Sequence, residues 1–135
     1  WGARRSPDGA RLVYLAPGQV RVMGPAGEDD SRPLWTAATG GATGLPQPVW
    51  LRWAADGRTL YVKAFDDRGA ASLWALPAGC TPVGDAGCGP PRPLVRFDDP
   101  LRPTRRPEFS TDGSRFYFTL AERESDLWLV RLKEP

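Results

Sequence analysis

The chain has 135 residues, including 15 Gly and 15 Pro, with 41% hydrophobic and 25% charged side chains and a formal net charge of +2. So much turn chemistry in a globular composition excludes a helix bundle, a coiled coil and a disordered tail. No apolar run approaches the ~20 residues of a membrane helix, which leaves an all-β fold of short strands and many turns, with no membrane span.

The chain opens on W-G-A-R-R with no signal-peptide pattern, so either a leader has been removed or the sequence is an internal segment. A short inner strand over 2–5 leads into S-P-D-G-A-R-L-V-Y-L-A from Ser6. A polar Pro17-Gly18 turn follows, then a strand V-R-V-M from Val20 and an outer strand R-P-L-W from Arg32. Proline suits an edge strand because it cannot donate to a ladder on both sides. The Gly-rich stretch 39–44 lacks the G-K-[ST] ending of a phosphate loop and reads as a connection.

The same order then repeats. An inner strand over 49–53 precedes A-A-D-G-R-T-L-Y-V-K-A from Ala54. A turn over 66–71, a strand L-W-A-L from Leu73 and an outer strand R-P-L-V from Arg92 follow. Between the last two lies an insertion carrying the only cysteines, Cys80 and Cys88. Two cysteines without histidine make a poor zinc site, so they read as a local disulfide closing a surface loop, or as two free thiols. A disulfide would imply an oxidising compartment.

The third copy has an inner strand over 106–109, then S-T-D-G-S-R-F-Y-F-T-L from Ser110 and L-W-L-V from Leu127. It ends at Pro135 without an R-P-L outer strand. The Asp-Gly pairs stand at Asp8-Gly9, Asp56-Gly57 and Asp112-Gly113, intervals of 48 and 56 residues. The longer interval contains the cysteine insertion, and without roughly ten residues of it both lie slightly above the ~40–45 residues of a propeller blade. Glycine supplies positive φ in each turn and aspartate accepts a local N–H, so these six residues read as structural.

Positions four, six and eight past each Asp are always apolar: Leu12, Leu60, Phe116; Tyr14, Val62, Phe118; Ala16, Ala64, Leu120. With a period of two they share one face. Position five (Val13, Tyr61, Tyr117) is also apolar, so the strand lies between two layers. Position seven (Leu15, Lys63, Thr119) varies.

The string S-P-D-G-x-x-L-x-Y with a following L-W-x-L strand resembles the TolB-type, WD-like β-propeller repeat. The copies carry Ser6-Pro7-Asp8-Gly9, Ala54-Ala55-Asp56-Gly57 and Ser110-Thr111-Asp112-Gly113. An aromatic often precedes this motif; Trp53 and Phe109 fit, and Arg5 departs. The resemblance implies an all-β propeller of three four-stranded antiparallel blades, at about 1–37, 49–97 and 105–135, the third incomplete. Closed propellers have four to eight blades. The three are therefore expected to be half of a six-bladed ring, completed by the remaining blades of a parent or by a second copy.

Function is the thinner reading. Histidine is absent, which removes the commonest general base and most metal and haem ligation. No G-x-S-x-G elbow occurs, and the acidic clusters at 28–30 and 98–99 lack calcium-ligand spacing. No catalytic, cofactor or metal residues are assigned, and no cofactor is expected. Acidic residues interleave with the arginines, which does not suit nucleic acid. The six Trp read as blade packing or as stacking surfaces. Arg4, Arg52, Arg105 and Arg106, near Asp99 and Thr104, are the candidate partner-binding residues, because Arg forks recognise carboxylates and phosphates.

The resemblance implies a non-catalytic protein-interaction or scaffold module, periplasmic or extracellular. Its alternatives are the accessory propeller of a prolyl-oligopeptidase-like peptidase or amidohydrolase, and a subunit of a self-assembling array.

Overall fold

A computed structural model describes residues 2–24, 27, 31–37, 45–78, 89–99 and 102–121. Among the described residues ten strands form two four-stranded antiparallel sheets and one hairpin. Sheet one holds β1 (Arg4–Arg5), β2 (Leu12–Ala16), β3 (Gln19–Met23) and β4 (Arg32–Thr36), in that spatial order. Sheet two holds β5 (Gln47–Trp53), β6 (Thr59–Phe65), β7 (Ala71–Pro77) and β8 (Arg92–Phe97), again in chain order. The hairpin pairs β9 (Phe109–Thr111) with β10 (Phe116–Phe118). Each four-stranded sheet is a meander, and none of the described sheets closes on itself.

The turns carry the repeat. Gly9, Gly57 and Gly113 have φ of 73°, 63° and 93°, a region that favours glycine. The Asp8 carboxylate accepts the Ser6 hydroxyl at 2.5 Å and the Ala10 N–H at 3.0 Å. Asp56 accepts the Arg58 and Thr59 N–H groups, and Asp112 those of Ser114 and Arg115. The Tyr117 hydroxyl also donates to Asp112 at 2.7 Å. Hydrogen bonding holds all three carboxyls below the ordinary aspartate value of 3.8. The unfolded chain therefore binds protons first as pH falls through that value, and stability drops. Wild type is expected to lose stability relative to Asp8→Asn/Asp56→Asn/Asp112→Asn as pH falls below 3.8. Acid denaturation curves of the two that stay parallel would contradict this.

Proline marks the outer edges as the sequence anticipates. Pro33 and Pro93 lie on β4 and β8, and the ladder skips a residue beside each, between Val20 and Arg21 and between Leu73 and Trp74. Such a bulge re-aims a side chain. Here Leu34 becomes 2% exposed in the core.

The two sheets pack through one core. Val13, Val20, Val22, Leu34 and Trp35 of sheet one meet Leu51, Leu60, Val62, Ala64 and Leu76 of sheet two. β6 is buried on both faces over Val62, Lys63 and Ala64, because the hairpin and the segment leading into it cover its second side. There Tyr61 meets Phe116 edge-on at 4.7 Å, and Phe97 meets Phe118 at 4.7 Å.

Several boundaries differ from the sequence reading. The first inner strand is Arg4–Arg5 and does not reach back to residue 2. β7 already contains Ala71, so the turn before it is shorter. The third inner strand is Phe109–Thr111, not 106–109. Pro107 has no N–H for a ladder, so pairing starts beyond it. The strand expected from Leu127, Trp128, and the Cys80–Cys88 pair lie outside the described residues.

Candidate functional site

Four residues before each turn Asp stand Arg4 on β1, Arg52 on β5 and Glu108 just ahead of β9. Arg4 pairs with Val13 and Arg52 with Tyr61, so Arg4 faces sheet two and Arg52 the hairpin. The Arg4 guanidinium lies 5.2 Å from the Trp50 ring centroid. Trp50 and Arg52 in turn line a cleft of about 440 Å³ with Glu108, Ser110, Tyr117 and Thr119. The cleft therefore offers a guanidinium, a carboxylate, hydroxyls and aromatic rings beside β5 and β9. The Trp50 indole nitrogen is buried and makes no hydrogen bond among the described residues. Unsatisfied buried donors are uncommon in folded proteins.

The other two predicted arginines lie apart from this ladder. Arg105 lines a cleft of about 780 Å³ with Thr104, Asp98, Asp99, Asp66 and Arg68. Asp66 is committed locally, accepting the N–H groups of Arg68 and Ala70. Arg106 is exposed, and its carbonyl accepts from the Lys63 ammonium at 2.8 Å. The four arginines thus divide into an inner-edge pair, Arg4 and Arg52, and a loop pair, Arg105 and Arg106.

Two basic residues to which the sequence assigned no role join separate parts of the fold. Arg11 donates to the Gly57 carbonyl at 2.7 Å and to the Ala78 carbonyl, with its guanidinium 5.3 Å from the Trp53 ring centroid. Trp53 returns its indole N–H to the Arg4 carbonyl at 3.2 Å. Lys63 is 1% exposed and donates to the Thr104 hydroxyl at 2.5 Å, beneath the Phe97 ring. Burial pushes the Lys63 ammonium below the ordinary lysine range, and the Glu108 carboxylate partly offsets this.

A lysine of lowered pKa beside a hydroxyl is the chemistry of an activated nucleophile. Thr104 is only 2% exposed, however, and Lys63 spends its protons on Thr104 and a backbone carbonyl. The pair is a buried bridge between sheet two and the segment leading into the hairpin.

Among the described residues no helix is long and apolar enough to cross a membrane. No family model, curated protein or solved structure matches the chain.

Proposed function

We propose that the protein is a non-catalytic interaction module, an arc of a β-propeller whose successive four-stranded units present their inner strands to a protein partner. The observation that carries this reading is the inner-edge ladder of Arg4, Trp50 and Arg52, assembled by repeat-equivalent strands from two sheets. Guanidinium groups beside an indole ring suit a carboxylate-bearing, extended peptide segment, bound by charge-assisted hydrogen bonds and by stacking. The TolB-type resemblance adds a periplasmic or extracellular setting.

An acidic peptide of ten residues, half of them Glu, provides the test by isothermal titration at low salt. Arg4→Glu/Arg52→Glu is expected to weaken its binding at least ~10-fold, one charge-assisted bond being worth roughly 1.5–3 kcal/mol. Arg105→Glu/Arg106→Glu, which leaves the ladder intact, should change it far less. Equal losses in the two double variants would refute the assignment to the inner edge.

A further inference from the structure

The unit-to-unit contacts obey a positional rule. Unit one (β1–β4) meets unit two (β5–β8) through positions three, five and seven past its turn Asp, Arg11, Val13 and Leu15, and unit two meets unit three (β9–β10) through positions five and seven, while Thr59 at its position three bonds its own Asp56. From unit one, Arg11 at position three reaches Gly57, Ala78 and Trp53. From unit two, Tyr61 at position five meets Phe116, and Lys63 at position seven reaches Thr104 and Arg106. In unit three the same positions are Arg115, Tyr117 and Thr119, and all three are exposed, Tyr117 at 50%. Arg115 is thus the counterpart of Arg11, with its backbone N–H and carbonyl already used in the turn.

What Arg11 finds across the interface defines the matching surface. It takes the carbonyl of the turn glycine, the carbonyl just past the third strand, and the ring three residues before the turn Asp. Position three before the Asp is Trp53 in unit two and Phe109 in unit three, but Arg5 in unit one. A second copy docking its first sheet onto unit three would set Arg5 against Arg115, two guanidinium groups where a cation meets a ring in the established contact.

Resting on the reading of these units as consecutive blades, we infer that the exposed face of unit three binds a further four-stranded sheet with an aromatic three residues before its turn Asp. That sheet is not the first sheet of a second copy of this chain. Arg115 supplies the cation for the aromatic, and Tyr117 packs against the partner strand as Tyr61 packs on Phe116.

The rule is tested by giving the chain the missing ring. Arg5 is exposed, so Arg5→Trp or Arg5→Tyr on the full chain leaves the core untouched. Sedimentation velocity over a concentration series should show head-to-tail association of Arg5→Trp at least tenfold tighter than wild type. Adding Arg115→Ala should return it to the wild-type value. The inference is overturned if Arg5→Trp and Arg5→Tyr associate no more tightly than wild type. It is equally overturned if their association survives Arg115→Ala, or if wild type already self-associates in an Arg115-dependent way. Peptide binding at Arg4 and Arg52 is measured separately, so failure here leaves the interaction reading standing, and the reverse.

Discussion

Trp35→Ala is expected to lower the unfolding free energy by about 3–5 kcal/mol, the range for emptying a buried tryptophan site. Trp35 is 2% exposed on an edge strand, yet it stands at the join of both sheets. Its ring meets Trp74 of sheet two edge-on, centroids 5.4 Å apart at 87°. Its indole donates to the Pro46 carbonyl at 3.0 Å, fixing the start of sheet two against sheet one. Truncation therefore removes a large apolar surface, an aromatic pair and one hydrogen bond together. Trp35→Phe keeps a ring in the gap and should cost clearly less, about 1–2 kcal/mol. Urea denaturation followed by circular dichroism gives both numbers. The single core also predicts one cooperative transition in which both sheets lose stability. Trp35→Ala unfolding sheet one while sheet two persists would show that the sheets are energetically independent.

Much of the architecture is legible because its signals are local. An Asp-Gly pair specifies a turn through glycine's positive φ and the reach of a short carboxylate, with no help from distant residues. Pro33 and Pro93 mark outer strands because a missing N–H is tolerable only at an edge. The apolar positions past each Asp predict a strand covered on both faces; β6 is such a strand, but β10 is not, since Tyr117 on it is 50% exposed and Leu120 just beyond it 46%.

What the sequence conceals is non-local. Lys63 occupies a position that also holds Leu15 and Thr119, and by period alone a charge there reads as tolerance. Its Thr104 hydroxyl and Arg106 carbonyl come from a segment some forty residues further on. Arg11 is equally silent until Trp53 and Gly57 of the next unit are set beside it. A comparison of positions before the turn, Arg4 with Arg52 and Glu108, separates the inner-edge arginines from Arg105 and Arg106. Grouping them by proximity to inner strands merges two different surfaces.

Lys63→Ala is expected to cost about 2–4 kcal/mol, although a buried charge is usually poor evidence for stability. The argument turns on what remains behind. Replacing a buried ion by a hydrophobic side chain is harmless when its partners are also removed or can reach water. Here the Thr104 hydroxyl belongs to a residue 2% exposed, so removing the ammonium orphans it and releases the carbonyl of Arg106. Alanine also empties the space of the aliphatic stem. Lys63→Met keeps the stem and isolates the polar part, expected at about 1–3 kcal/mol. A methionine variant more stable than wild type would mean that desolvation outweighs the bridge. The sign with pH offers a separate check. Because burial lowers the folded-state pKa of Lys63, the unfolded chain holds its proton to higher pH, up to the ordinary value of 10.5. Wild type should therefore gain stability relative to Lys63→Met as pH rises through the lowered pKa toward 10.5. The deprotonated amine can still donate to Thr104 while no longer bearing a buried charge. A stability difference that stays constant across that alkaline range would place the amine in water and remove the bridge from the account of how the hairpin is held.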